Sequence, residues 1–80
     1  MYYVYVLKDA VDGGMYYGYT DNVERRVEQH RKGNAQWRLV YYEAFLSEAD
    51  ARDRERSLKH YGQSRTHLKS RIKHSLELQN

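Results

Sequence analysis

The chain has no cysteine, so neither a disulfide nor a thiolate zinc site can staple it, and cohesion must come from side-chain packing. That suits a reducing cytosol. No stretch combines a basic start, an apolar run and small residues, and no apolar run approaches the roughly 20 residues that cross a bilayer. A soluble, unprocessed, cytoplasmic protein without a membrane partner is expected. Several catalytic signatures are also missing. There is no Gly-rich phosphate loop ending in Lys-Ser/Thr and no His-Glu-x-x-His, and Ser47, Ser57, Ser64, Ser70 and Ser75 lack a nucleophile-elbow context. His60, His67 and His74 recur every seven residues without zinc-finger cysteines, and read as surface or phosphate-facing groups. Phe and Trp occur once each, against nine Tyr. Tyrosine stands where Phe would serve for packing alone, which fits a small core whose rim is wet or binds something.

What is present fits one domain over residues 1–80, short enough to need efficient packing or a partner. The net charge is +3, unevenly spread: between Arg52 and His74, eight Lys/Arg face only Asp53 and Glu55. Such clustering suggests a polyanion partner, although a basic helix is as often a solvated face.

Tyr2 to Leu7 alternates and is rich in Val and Tyr, predicting a strand; Asp12-Gly13-Gly14 supplies a turn before a second strand over Met15 to Tyr19. Asp21 with Glu24 three residues on, and Val23 with Val27, predict a first helix over about 21 to 32 with Gly33 as its stop. Trp37 to Leu46 is apolar nearly throughout, which predicts a third strand buried on both faces at the centre of the sheet. Ser47 with Asp50 opens a second helix carrying Ala51, Leu58 and Tyr61 on one stripe and ending at Gly62. Leu68, Ile72 and Leu76 predict a last amphipathic helix from about Ser64 to Leu78, with Lys69, Arg71, Lys73 and His74 on or near its polar side. The order β-β-α-β-α-α gives an α+β (α/β) domain whose three-stranded sheet is flanked by helices.

Three features could carry chemistry. On the first helix Asn22, Arg26 and His30 lie four apart at the border of the buried face; singly, each is an ordinary surface residue. Glu55 falls on the stripe of Ala51, Leu58 and Tyr61, where an apolar residue is expected. Burying an unpaired carboxylate costs several kcal/mol, so it needs a cation. Arg52 or Lys59 would make a plain ion pair; Mg²⁺ would make Glu55 a metal ligand. The Tyr pairs at 2-3, 16-17 and 41-42 alternate sides of their strands, so about half belong to the core or its rim. A phenol, with an ordinary pKa near 10, needs a nearby cation to act as a base.

Together these segments resemble the GIY-YIG nuclease superfamily, most closely its small stand-alone bacterial members. Tyr3-Val4-Tyr5 stands at the first motif with Tyr for the name-giving Gly, and Tyr16-Tyr17-Gly18 at the second with Tyr for Ile. Asn22-Val23-x-x-Arg26, His30, Leu39-Val40-Tyr41-Tyr42-Glu43 and Arg54-Glu55-x-x-Leu58-Lys59 follow in the family's order, so the likeness covers nearly the whole chain. It implies cleavage of DNA phosphodiesters with one divalent metal, Mg²⁺ or Mn²⁺, leaving 5′-phosphate and 3′-hydroxyl ends. Tyr16 would be the general base or orient the attacking water, and Tyr5 would assist it. Arg26 would neutralise transition-state charge, His30 would support proton transfer or hold the phosphate, and Glu55 would bind the metal. Gly18 would allow close approach of the backbone to the scissile phosphate. One departure stands out: only Arg31 to Gln36 separate His30 from the third strand, where relatives usually carry a longer basic loop.

The leading expectation is a metal-dependent DNA endonuclease gripping phosphates through Lys59, Arg65, Lys69, Arg71 and Lys73, with Asn22 and Gly18 lining the path. Its surface is too small for a separate base-reading element, so selectivity for branched, flapped or damaged DNA, as in DNA repair, is expected over sequence. The alternatives are a non-catalytic module binding DNA or RNA on the same fold, and a scaffold meeting a protein through its Tyr-rich face.

Overall fold

Strand β1, Tyr2–Asp9, runs along the middle of the sheet, paired with β2, Met15–Thr20, on one side and β3, Trp37–Phe45, on the other. The computed structural model describes residues 1–78. Both pairings are antiparallel, with Tyr5 opposite Gly18 in β2 and opposite Tyr42 in β3. The β1–β2 turn is tied by Asp9, whose carboxylate accepts from the backbone N–H of Val11 and Asp12, while Gly13 takes a left-handed φ of 77° that disfavours a side chain. Side chains alternate across the strand, so β1 feeds two different surfaces. Val4 and Val6 pack with Tyr17, Ala51, Leu58, Leu68 and Ile72, under the helices α2 (Glu48–His60), α3 (Gly62–Arg71) and α4 (Lys73–Glu77). Tyr5 and Asp9 turn the other way, toward the side covered by α1, Val23–Gly33.

The predicted place of the third strand is corrected by this topology. β3 is an edge strand, none of its residues is fully buried, and Tyr42 is 54% exposed. The centre is β1, where Val4, Tyr5, Val6 and Leu7 are 0% exposed. The reason is connectivity: the hairpin sets β2 on one side of β1, and α1 carries the chain over the sheet to the open side. The apolar density of β3 reflects partial cover on both faces.

The helices keep their predicted positions with shifted ends. Asn22, rather than Asp21, caps α1, accepting from the Arg25 N–H at 3.0 Å; Asp21 instead pairs with Arg25. Ser47 caps α2 as expected, but α2 ends at His60, and Tyr61, expected on the buried stripe, is 64% exposed at the elbow leading into α3. The last helix is two. Ile72 leaves helical dihedrals at φ −110° and ψ 25°, yet Leu68, Ile72 and Leu76 still pack on the core, as their spacing predicts. Lys8 from β1 closes the end of α4 by donating to the Leu76 carbonyl at 2.6 Å. The short link after α1 is tight: Asn34 donates to Asp9 at 2.8 Å, and Ala10 N–H donates to the Gln36 carbonyl at 2.9 Å.

Candidate active site

Strand register places Tyr16 and Gly18 on the same face as Leu7 and Tyr5, and α1 lays His30 over them. The Tyr5 hydroxyl lies 2.8 Å from His30 Nε2. The Tyr16 ring is 4.6 Å from the imidazole and 6.1 Å from the Tyr5 ring, with Trp37 completing an aromatic wall at 6.3 Å. Burial pushes the Tyr5 phenol up to about 12; Tyr16 adds to this, and the positive charge of Arg26 opposes it. Burial, and then the Arg26 charge, hold His30 below its ordinary value of 6.5. At neutral pH the hydrogen bond therefore joins two uncharged groups, a protonated phenol and a neutral imidazole.

Gly18 has a reason visible in this geometry. A Cβ there would lie 2.5 Å from Tyr5 Cζ and from the Tyr5 hydroxyl oxygen. The room left by the missing side chain is filled by the Tyr5 ring, not held open for a phosphate.

Arg26 is half-buried on α1, and its Nη1 donates to Gln29 Oε1 at 2.9 Å. Beside it opens a polar hollow of about 470 Å³ rimmed by Tyr19, Arg25, Glu48 and Arg52. Glu55 comes from α2, on the opposite face of the sheet. Because β2 is an edge strand, α2 reaches round its rim: Lys59 Nζ is 3.3 Å from Glu55 Oε2 and 5.8 Å from the centre of the Tyr16 ring. The Glu55 side chain is 22% exposed and that of Lys59 45%, so this is an open ion pair rather than a dry lock. A helical pair of this kind contributes about 0.3–0.5 kcal/mol.

The structure thus brings Tyr5, Tyr16 and His30 into direct contact, Arg26 within electrostatic reach, and Glu55 to the group through Lys59. It does not gather the other predicted binding residues. The Asn22 side chain is spent on the α1 cap, and Arg65 Nη1 donates to the Leu58 and Lys59 carbonyls, closing α2. Arg71 is exposed at the end of α3. Lys69 and Lys73 are exposed on α3 and α4. Sequence reasoning missed the triplet in which Tyr19 donates to Glu48 at 2.6 Å, Arg52 donates to Glu48 at 3.3 Å, and the Arg52 guanidinium lies 4.3 Å over the Tyr19 ring. Only Arg52 with Glu48, four apart, leaves a trace in helical spacing.

No group of three or more His, Cys, Asp and Glu side chains able to hold a metal occurs among the described residues. Glu55 offers one hard carboxylate in partial contact with water. This fits Mg²⁺ or Mn²⁺ in a water-rich site, since Mg²⁺ keeps several waters and takes one or two carboxylates, and does not fit a closed zinc site.

A family model described as the GIY-YIG catalytic domain matches residues 1–71. The chain belongs to the GIY-YIG family. Within it, the chain is 36% identical to a UPF0213 protein of Clostridium perfringens, across 74% of this chain and 71% of that protein. It is 42% identical to a UPF0213 protein of Natronomonas pharaonis, across 72% of this chain and 76% of the relative. The solution NMR structure of a UPF0213 protein from Bacillus halodurans superposes with a TM-score of 0.59 at 35% identity, covering 88% of this chain and 84% of that one. GIY-YIG membership supports a nuclease-type hydrolase with a nucleic-acid substrate; the UPF0213 name adds no activity, metal or selectivity. No helix among the described residues is long and apolar enough to cross a membrane.

Proposed function

We propose that this GIY-YIG protein is a divalent-metal-dependent endonuclease that hydrolyses DNA phosphodiesters and selects its substrate by shape. The observation that carries this reading is the meeting of Tyr5, Tyr16 and His30 from three elements, with Arg26 beside them and Glu55 joined through Lys59. A structural core has no use for a phenol, an imidazole and a guanidinium arranged around an open rim.

In this reading water attacks phosphorus, the P–O3′ bond breaks, the leaving O3′ takes a proton from solvent water, and the products are a 5′-phosphate and a 3′-hydroxyl. Tyr16 orients the water. His30, held neutral with its Nε2–H turned to the Tyr5 oxygen, takes up at Nδ1 the proton that water loses. Tyr5, kept protonated, fixes the imidazole through their 2.8 Å hydrogen bond. Arg26 sets its charge beside the phosphate oxygens as negative charge builds on them, a contribution that usually dominates such reactions. Glu55 would hold Mg²⁺ or Mn²⁺, which supplies Lewis-acid stabilisation of the same charge. Nucleic-acid affinity should fall with salt, because phosphate contacts release counterions.

The test is a nicking assay on supercoiled and on branched DNA with Mg²⁺, Mn²⁺ or EDTA, using wild type, Glu55→Ala and Arg26→Ala. Cleavage should need the ion and fall by about 10²-fold or more in each variant, the scale of removing one transition-state contact. Cleavage that survives either substitution sinks the assignment. Salt-dependent DNA binding with no cleavage at all would leave the binding-module alternative.

A further inference from the structure

We infer that Lys59 is the built-in counter-ion of the Glu55 carboxylate, which gives way to the divalent ion and then offers its charge to the substrate beside Tyr16. This rests on the metal role proposed for Glu55 and adds a device that couples metal binding to substrate binding. Lys59 Nζ touches Glu55 Oε2 at 3.3 Å and faces the Tyr16 ring at 5.8 Å, so one ammonium spans the proposed metal ligand and the proposed water-orienting phenol.

Nearby cations are committed elsewhere: Arg52 pairs with Glu48 and covers Tyr19, and Arg65 binds the carbonyls that end α2. Lys59 is held differently. Its side chain is 45% exposed on a four-carbon stem, and its contacts are one carboxylate that is itself 22% exposed and one ring face. An ammonium and a dication on the same carboxylate repel strongly at these separations, so arrival of the ion releases Lys59. The released charge lies next to Tyr16, where the scissile phosphate sits in the proposed reaction. Metal and polyanion should then strengthen each other's binding by the same factor, as linkage requires.

The experiment measures Mn²⁺ binding by electron paramagnetic resonance on the full chain without DNA at low ionic strength, in wild type, Lys59→Met, Lys59→Arg and Glu55→Gln. Lys59→Met should bind Mn²⁺ about threefold tighter or more, because a like charge has left the site and little salt screens it. Lys59→Arg should stay near wild type, and Glu55→Gln should lose the ion. A fluorescent oligonucleotide with phosphorothioate linkages gives a second readout: Mn²⁺ should tighten its binding to wild type and lose most of that effect in Lys59→Met. Unchanged or weaker Mn²⁺ affinity in Lys59→Met, with Glu55→Gln still losing the ion, overturns the Lys59 role and leaves the metal reading standing. Mn²⁺ binding by Glu55→Gln equal to wild type overturns both.

Discussion

The two faces of the sheet are built from the same strand and differ in what they pack against. On the face under α2, α3 and α4, β1 contributes Val4 and Val6 to an apolar cluster with Leu58 and Leu68. On the face under α1, it contributes Tyr5, which is equally buried but hydrogen-bonded to His30, with its ring tilted toward Tyr16 at 6.1 Å. Tyrosine appears on both. Tyr17 sits in the apolar cluster, 8% exposed, and its buried hydroxyl has no hydrogen-bond partner among the described residues, whereas the Tyr5 hydroxyl has His30. Of this pair, Tyr17 contributes its ring alone and Tyr5 its oxygen as well. The two-residue period of the strand sends the valines to one cover and the hydrogen-bonded tyrosine to the other.

The harshest break in that comparison is Leu58→Ala. Leu58 is 0% exposed, so truncation should cost about 2–5 kcal/mol in urea denaturation while leaving the Tyr5–His30 geometry intact. Gly18→Ala attacks the other face. Its Cβ would lie 2.5 Å from Tyr5 Cζ, and the fully buried Tyr5 ring can relieve the clash only at the expense of its surroundings, including its place against His30. A loss of about 1–3 kcal/mol is expected, with a shift of the His30 ring resonances in NMR. Combining it with Tyr5→Leu should cost less than the sum of the two single changes, because the clash has gone.

Removing the two hydroxyls sharpens the contrast by sign. Tyr5→Phe loses a partnered hydrogen bond and should destabilise by about 0.5–1.5 kcal/mol; Tyr17→Phe removes an orphaned hydroxyl and should be neutral or stabilising. Equal losses in both would erase the distinction between the faces.

The smallest effects concern pH, and both titrating groups lie on the α1 face. Asp9 is held below its ordinary carboxyl value first by the Asn34 hydrogen bond, then by the Val11 and Asp12 N–H groups. Its contribution is present above the unfolded-state value of 3.8 and is lost as pH falls through the folded value. His30 is also depressed, which reverses what its charging does: the fold disfavours imidazolium. Stability should rise with pH from the folded value of His30 up to about 6.5, its unfolded value, and be flat above. Asn34→Ala should flatten the first region of a pH–urea profile and His30→Gln the second.

Much of the site was legible beforehand because its members leave local marks. Arg26 and His30 share a helical spacing, and Glu55 interrupts an apolar stripe, which marked them as candidates; singly each reads as a surface residue or a plain ion pair, and only their order with the Tyr motifs raised them above that. The role of Gly18 could not be found that way, since the ring that occupies its space comes from the neighbouring strand thirteen positions earlier. Lys59 was nameable as an ion-pair partner of Glu55, but its second contact, to Tyr16, depends on α2 reaching round the edge of β2. The misplaced centre of the sheet has a similar cause. Apolar density in β3 and in β1 looks alike along the chain, and only the pairing order tells partial cover on two faces from full burial.

By itself the amino-acid sequence determined the local periods: alternation in the strands, the apolar repeat of Leu68, Ile72 and Leu76, and the turn at Gly13. These follow from backbone sterics and side-chain direction within a few residues. Tertiary structure alone decided that β1 is central, that Tyr5 rather than open space fills the gap at Gly18, and that a lysine bridges Glu55 and Tyr16. Those facts depend on contacts between segments far apart in the chain, whose energies no local pattern records.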